Sequence, residues 1–271
     1  MVITDKFVYI HKPKTGGTFV TDALLKLYDG KWNLFLHAKL ALLKVIHYKN
    51  DFGTLSLTAN KHGGCNDIPV GHQQKTIVST IRNPFDYYVS QYEFGWWKRK
   101  SWHDYYKKID GFEKYSASFP NLSFQQFMEL MALAFNASPH QDFNNPNALG
   151  RNTIEFINDC FYEPEQVIKK IDEKYISSGA YKKDMFPVEF IFTHRLNQQL
   201  YDFLLAHGYP SERIAFIITK QKVLPQGKGR TKEQKWEKYY TPELKELVRK
   251  KDWFLFEVFP EFEEAHTLFP V

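Results

Sequence analysis

Residues 7–18 read Phe7-Val8-Tyr9-Ile10-His11-Lys12-Pro13-Lys14-Thr15-Gly16-Gly17-Thr18. The first four form an apolar run typical of a buried strand, and the rest form a basic loop with two adjacent glycines. Apolar residues then recur at helical spacing from Phe19 to Tyr28, which predicts an amphipathic helix. A strand, a glycine loop and a helix start create an anion site, because helix N-termini and their N–H groups favour negative charge. Lys14 adds a full charge, so the expected ligand is a nucleotide phosphate or a similar anion.

This loop differs from two common nucleotide-binding loops. In the NTPase P-loop the lysine follows the second glycine, whereas Lys14 precedes Gly16 and Gly17. The loop also lacks the glycine spacing of dinucleotide-binding folds. Taken alone, a polar turn between a strand and a helix is the alternative interpretation.

A second strand and helix pair begins with the apolar run 76–81, and Arg82 stands at its carboxyl end. Asn83 and Pro84 are typical of the N-cap and first turn of a helix, so a helix is expected to follow. Arg82 is then placed to reach a phosphate at the edge where α/β sheets bind ligands. Ser90 lies about two turns into that helix. The alternative is a surface ion pair for Arg82 and a neutral helix position for Ser90.

The two motifs together resemble those of the sulfotransferases that use 3′-phosphoadenosine 5′-phosphosulfate (PAPS). Residues 13–18 are similar to the family's 5′-phosphosulfate loop, and Arg82-Asn83-Pro84 with Ser90 is similar to its 3′-phosphate motif. Gly227-Lys228-Gly229-Arg230 is a weaker match to its loop that closes over the cofactor. The resemblance covers residues 5–30, 60–95 and, less firmly, 220–260.

The expected fold is α/β, with a central parallel sheet flanked by helices in a P-loop-like sulfotransferase architecture. We expect a single domain over residues 1–271, with an aromatic-rich insertion or lid around 99–150. The periodicity predicts further strands at Val188–Thr193 and Arg213–Thr219. It also predicts helices near Phe124–Phe135, Leu196–His207 and Pro242–Trp253.

The resemblance implies transfer of a sulfuryl group from PAPS to a hydroxyl, or less often an amine, of an acceptor that the sequence does not identify. A carbohydrate or glycolipid is one candidate acceptor. The cofactor-binding residues that the resemblance implies are Lys14, Thr15, Gly16, Gly17, Thr18, Phe19, Arg82, Ser90, Lys228, Gly229 and Arg230. Phe19 would lie against the adenine, and the alternative is an ordinary core residue of the first helix.

Two side chains are predicted to be catalytic. Lys14 would neutralise charge on the leaving phosphate oxygen. His62, in Lys61-His62-Gly63-Gly64, would take the acceptor's proton, because a histidine near its ordinary pKa is a good general base. In the family a catalytic histidine stands at about this place, ahead of the strand that leads to the arginine. His37 is the second candidate, and a solvated loop histidine is the alternative for His62.

The composition suits an enzyme with a sizeable core. The chain has 271 residues, 43% of them hydrophobic, and a net charge of +5, which suits an anionic cofactor but is too small and scattered to indicate nucleic acid. Two cysteines do not suggest structural disulfides, and no apolar run is long enough to span a membrane. The sequence shows no metal-ligand spacing and no signal peptide. A cytoplasmic protein that needs no metal is therefore expected, and its oligomeric state is not predicted.

Two rival functions stay open at this point. The first is a P-loop kinase-like phosphotransferase or hydrolase, which would need a Walker lysine and a magnesium-binding acid. The second is a non-catalytic module that binds an adenosine nucleotide or a sulfated glycan. In the aromatic stretch after Arg82, Trp97 and Trp102 are candidate contacts for the acceptor.

Overall fold

A computed structural model of the chain describes residues 1–31, 34–136, 149–221 and 234–264. The chain divides into two compact units. We call them the sheet unit, with Met1–Arg82, Asp159–Tyr162 and Lys182–Gly229, and the helical unit, with Asn83–Asn158, Glu163–Tyr181 and Arg230–Val271.

The sheet is mixed, so the expectation of a parallel sheet is only partly correct. Its strands are β1 (Val2–Thr4), β2 (Phe7–Ile10), β3 (Val45–Asn50), β4 (Gly53–Thr58), β5 (Thr76–Ile81) and β6 (Val188–Phe192). They lie in the order β3-β4-β1-β2-β5-β6. Strands β2, β5 and β6 are parallel, whereas β1, β3 and β4 extend the sheet through antiparallel pairs. The predicted α/β class is confirmed, and the parallel part contains β2 and β5, the two strands that precede the predicted motifs, together with β6.

The β3–β4 hairpin is one part of the sheet that sequence reasoning missed. Asn50 pairs with Gly53, which leaves a two-residue turn between the strands. Gly53 has a φ of 97°, and a Cβ there would lie 2.1 Å from Oδ2 of Asp5. Only glycine fits this turn without displacing Asp5. The hairpin accounts for the antiparallel edge of the sheet.

The helices of the described residues run through both units. They are α1 (Gly17–Leu27), α2 (Leu34–Leu43), α3 (Pro84–Phe94), α4 (Lys100–Tyr106), α5 (Glu113–Ser116), α6 (Phe124–Asn136), α7 (Arg151–Cys160), α8 (Pro164–Lys170), α9 (Glu173–Ser177), α10 (Tyr181–Asp184), α11 (Leu196–Ala206), α12 (Ser211–Ile214), α13 (Phe216–Thr219), α14 (Pro242–Lys251), α15 (Trp253–Val258) and α16 (Glu261–Glu264). The predicted strand at Arg213–Thr219 is wrong, because this segment forms α12 and α13. Ile214 and Ile217, three positions apart, are its fully buried residues, which is helical spacing.

The sheet unit has a core on each face of the sheet. Phe7 and Tyr9 of β2 pack with α1 and α11 in one apolar cluster, whereas Val8 and Ile10 pack in a second cluster with Cys65. Alternation along β2 produces this division, since successive side chains point to opposite faces. Strand β2 is therefore packed on both faces, which fixes the position of its carboxyl end and of the loop that follows.

The helical unit is packed largely by aromatic side chains. Trp97 is fully buried and stacks on Tyr92 with ring centroids 6.0 Å apart, so its suggested role as an acceptor contact is wrong. The buried carboxylate of Asp252 accepts hydrogen bonds from the Tyr88 hydroxyl at 2.7 Å and from Thr153 at 2.9 Å. These contacts join α3, α7 and the turn before α15.

None of the helices in the described ranges has the length and apolar character needed to cross a membrane.

Candidate functional site

Helix α1 begins directly after the glycine loop without a side-chain cap from any described residue. Its N-cap is Gly16, whose φ of 100° is left-handed, and Lys14 in the loop has a φ of 65°. The helix's hydrogen bonds start with the N–H of Val20 donating to the carbonyl of Gly16 over 3.2 Å. No acid lies in the first turn. The N–H groups of residues 17–19 therefore precede the helix's own ladder, and the positive end of the helix dipole meets the loop.

Threonine hydroxyls hold this loop against the carboxyl ends of the parallel strands. Thr15 donates from Oγ1 to the carbonyl of Lys12 over 2.9 Å and lies 2.7 Å from Oγ1 of Thr80 on β5. Thr193, just after β6, places its hydroxyl 2.7 Å from the carbonyl of Thr15 and 2.9 Å from that of Ile81. The loop is thus tied to β2, β5 and β6 at the edge where parallel sheets place ligand sites.

Both glycines of the loop allow close packing by neighbouring side chains. A Cβ on Gly16 would lie 2.6 Å from Cδ2 of Leu196, and a Cβ on Gly17 would lie 2.3 Å from Cδ2 of His11. The space beside their Cα atoms is therefore taken by the protein itself. A ligand of this loop would contact the backbone N–H groups. It would not occupy the space beside the glycine Cα atoms.

Arg82 lies in contact with the glycine loop. Its Nη1 donates to the carbonyl of Lys14 over 2.7 Å, although the two residues are 68 positions apart. The side chain is half-buried, and this bond uses one of the five N–H donors of a guanidinium. The structure thus brings Arg82, from the second predicted motif, to the glycine loop of the first within the sheet unit.

His62 also lies beside the loop. Its Nδ1 is 3.0 Å from the carbonyl of His11, and the two imidazole rings meet edge to face with centroids 5.0 Å apart. A carbonyl only accepts, so Nδ1 carries the proton in this hydrogen bond and Nε2 is the basic nitrogen of the neutral ring. His62 is exposed, whereas His11 is buried. This tautomer would direct the basic nitrogen of an exposed histidine away from the loop backbone.

The side chain of His11 is buried against the start of α1, where its contacts are structural. Its side chain is 4% exposed, and its Nδ1 lies 2.9 Å from the hydroxyl of Thr21. Burial, together with the nearby charge of Lys61, lowers the pKa of His11 well below its ordinary value. The ring is therefore neutral at pH 7 and packs against Gly17.

The other predicted site residues are placed as follows. Phe19 is 4% exposed within the core cluster of α1, with the ammonium of Lys220 at 5.7 Å from its ring centroid. Ser90 is buried in α3, in the helical unit. Lys228, Gly229 and Arg230 and the side chain of His37 lie outside the described residues. The cofactor roles of Phe19, Ser90 and residues 228–230, and the role of His37 as an alternative base, stay predictions.

Lys12 is a charged residue that sequence reasoning missed. Its side chain is 3% exposed, and its ammonium lies 3.6 Å from Oδ2 of Asp159. Within the described residues Nζ has no hydrogen-bond partner. Burying an ammonium is costly unless it is paired, so Asp159 is the group that makes this position tolerable. Lys12 lies two residues past the end of β2, and a partner so far along the chain cannot be read from a local pattern.

Over the described ranges, no group of three or more His, Cys, Asp or Glu side chains is arranged to hold a metal ion. No protein-family model, curated protein or solved structure significantly matches this chain. The case for a function therefore depends on the geometry of the loop, Arg82 and His62.

Proposed function

We propose that this chain transfers a sulfuryl group from PAPS to a hydroxyl of an acceptor, with a carbohydrate or glycolipid as the first candidates. The observation that carries the proposal is the 2.7 Å hydrogen bond from Arg82 to the carbonyl of Lys14. PAPS carries a phosphosulfate on one side of its ribose and a phosphate on the other, so it needs two anion-binding groups close together. The loop and Arg82 would supply such a pair.

The donor set of the loop suits a phosphosulfate. The N–H groups of residues 17–19 precede the helix's own hydrogen bonds, and the first turn has no acid to compete with an anion. Lys14 and the hydroxyl of Thr18 would complete this grip. Arg82 would bind the 3′-phosphate, since a guanidinium can bind two oxygens of one phosphate.

Sulfuryl transfer needs the protein mainly to position the reactants and to neutralise developing charge. Bound PAPS would supply the sulfuryl group and a phosphate leaving group. Lys14 would neutralise the charge that develops on that leaving oxygen. His62 would take the acceptor's proton at Nε2, the nitrogen left basic when Nδ1 donates to the carbonyl of His11.

Calorimetric titration with 3′-phosphoadenosine 5′-phosphate, the desulfated product, tests the proposal against its rivals. We expect it to bind at least about tenfold more tightly than ATP with magnesium, because only the product carries a 3′-phosphate for Arg82. Preference for ATP with magnesium would instead support the phosphotransferase. Binding of neither nucleotide would overturn the proposal.

A substitution at His62 separates an enzyme from a binding module. His62→Gln should leave the product's affinity unchanged and reduce labelled sulfate transfer to the parent's acceptor by roughly 10²- to 10⁴-fold. Unchanged transfer in this variant would remove His62 from the reaction.

A further inference from the structure

Five side chains of the helical unit form a closed cycle of contacts, which we call the polar cycle. The indole N–H of Trp96 donates to the amide oxygen of Gln91, and Nε2 of Gln91 donates to the hydroxyl of Tyr87 over 2.7 Å. That hydroxyl donates to one carboxylate oxygen of Glu155, and Nε of Arg151 donates to the other over 2.7 Å. The guanidinium carbon of Arg151 lies 4.8 Å from the centroid of the Trp96 ring, which closes the cycle.

The polar cycle is buried on one side and accessible on the other. Tyr87 and Gln91 are 0% and 4% exposed, whereas the side chains of Arg151 and Glu155 are 18% and 23% exposed. Burial, together with the charge of Glu155, raises the pKa of Tyr87 well above its ordinary value, so its hydroxyl stays protonated and donates. The buried members therefore fix the orientation of the accessible carboxylate and guanidinium, as a supporting layer does at a binding site.

Two more aromatic side chains adjoin the polar cycle. The rings of Trp96 and Trp102 meet edge to face with centroids 4.5 Å apart, and the ring of Tyr105 meets that of Trp102 in the same way at 5.8 Å. Tyr105 is 42% exposed and Trp102 is half-buried, so a ligand can reach both. Accessible aromatic rings beside a few fixed polar groups are the usual lining of small-molecule sites. We call Trp96, Trp102, Tyr105, Arg151 and Glu155 the aromatic patch.

The groups of the aromatic patch match the chemistry of a sugar ring. A sugar hydroxyl both donates and accepts, and the patch has a pure donor, Arg151, next to a pure acceptor, Glu155. The C–H face of a pyranose is apolar, so it suits rings such as those of Trp102 and Tyr105. Because the charges of Arg151 and Glu155 cancel, the patch favours a neutral sugar over an anionic one.

We propose that the aromatic patch binds a neutral pyranose of a glycan, which stacks on Trp102 and hydrogen-bonds through its hydroxyls to Arg151 and Glu155. Trp96 is a positioning residue, because its ring lies against the guanidinium and its N–H holds Gln91 in the polar cycle. The proposal rests on the function proposed above in so far as this pyranose belongs to the acceptor of the sulfuryl group. The binding itself needs neither PAPS nor the α1 loop.

Titration of the full chain with neutral trisaccharides, in the absence of nucleotide, tests the proposal. The probes are maltotriose, cellotriose, laminaritriose and chitotriose, with trigalacturonate as the anionic comparison, and binding is followed by saturation-transfer NMR and tryptophan fluorescence. We expect at least one neutral probe to bind with a Kd of about 1 mM or lower, with little dependence on salt. Binding of no neutral probe below about 10 mM, or a preference for trigalacturonate that salt abolishes, would overturn the proposal.

Substitutions separate a binding site from a purely structural cluster. Trp102→Ala and Glu155→Gln should each weaken binding of the best neutral probe by at least about tenfold, because one removes the stacking surface and the other the charged acceptor. Trp102→Phe keeps an aromatic face and should recover part of the affinity. Trp253→Ala, which removes another half-buried tryptophan of the helical unit, is the matched control and should bind like the parent. Thermal unfolding shows that each variant is folded.

The variants also decide against the proposal if they behave alike. Unchanged affinity in Trp102→Ala, or an equal loss in Trp253→Ala, would overturn it. Sugar binding by a chain that does not bind 3′-phosphoadenosine 5′-phosphate would support this site and remove the transfer reaction. Nucleotide binding without sugar binding would remove only this site, so the two proposals fail separately.

Discussion

The starts of helices α1 and α3 differ in how their first turns are capped. Helix α3 is capped by its own residues: the Asn83 side chain accepts from the N–H of Phe85, Pro84 opens the first turn and Asp86 lies within it. Helix α1 starts at Gly16 without a side-chain cap or an acid among the described residues. Both helices follow a parallel strand, so the strand alone does not create an anion site. Of these two starts, that of α1 has neither a side-chain cap nor an acid in its first turn, so we propose that it binds the anion and that Arg82 is the contribution of the second motif.

Removing the cation of the α1 loop should have the largest effect. Lys14→Ala should lower sulfate transfer from PAPS by roughly 10²- to 10³-fold, because the developing charge on the leaving oxygen loses its partner. Single-turnover rates with labelled PAPS measure this, and Lys39→Ala, an exposed lysine of α2, is the matched control. Equal rates for Lys14→Ala and the control would exclude Lys14 from catalysis.

Adding an acid to the first turn of α1, where α3 already has one, should weaken anion binding at α1. Thr18→Glu places a carboxylate in the first turn, where it would bind the N–H groups and repel an anion. We expect the affinity for 3′-phosphoadenosine 5′-phosphate to fall about tenfold while the folded state keeps its stability, since an acid suits this position. Calorimetry and urea unfolding of the same sample measure both. Unchanged affinity would mean that the start of α1 does not bind the nucleotide.

Removing the cap of α3 should lower the stability of the fold and leave nucleotide affinity nearly unchanged. Asn83→Ala should lower the free energy of unfolding by about 1 kcal/mol, because the N–H of Phe85 loses its acceptor. Nucleotide affinity should change less than about twofold, since the cap is structural. Asn83→Ser, which keeps a capping oxygen, should recover most of the stability. A large loss of affinity in Asn83→Ala with stability intact would place α3's start in the site.

Lowering the pH should reduce the stability of the folded chain, because His11 at the start of α1 is buried. The folded chain holds the pKa of His11 well below 6.5, whereas the unfolded chain binds a proton near that value. The unfolded state therefore binds more protons just below pH 6.5, and stability falls as the pH decreases, by at most about 1.4 kcal/mol per pH unit. Urea unfolding from pH 7.5 to 5.5 checks this, with His11→Gln as the variant that should show a smaller slope. An equal slope in both proteins would contradict the burial argument.

The parts that the sequence predicts well are those with several agreeing local signals. Strands β2 and β5 are apolar runs followed within a few residues by Gly16-Gly17 or by Asn83-Pro84. Helix α14 has the N-cap Thr241, whose side chain accepts from the N–H of Leu244. The β3–β4 hairpin was missed because β3 mixes polar and apolar residues and only Ile46 of the strand is fully buried. The segment 213–219 was assigned as a strand because a short apolar run does not distinguish strand from helix.

In the candidate site too, the residues in local motifs could be predicted, whereas the long-range contacts could not. Lys14, Arg82 and His62 stand in or beside recognisable local motifs, so their place at the loop was predictable. The threonine contacts from Thr80 and Thr193 and the ion pair of Lys12 with Asp159 join positions far apart in the chain. Such contacts follow from the packing of β2, β5, β6 and α7, which no single stretch of sequence specifies.

The most direct test of the central claim is a thermodynamic cycle on Arg82 and the 3′-phosphate. Affinities of parent and Arg82→Ala are measured for 3′-phosphoadenosine 5′-phosphate and for adenosine 5′-phosphate, with Arg99→Ala as an exposed control. If Arg82 grips the 3′-phosphate beside the α1 loop, removing that phosphate should weaken the parent by roughly 10- to 100-fold and the variant by much less. An equal loss in parent and variant, or parent binding that ignores the 3′-phosphate, would contradict the account.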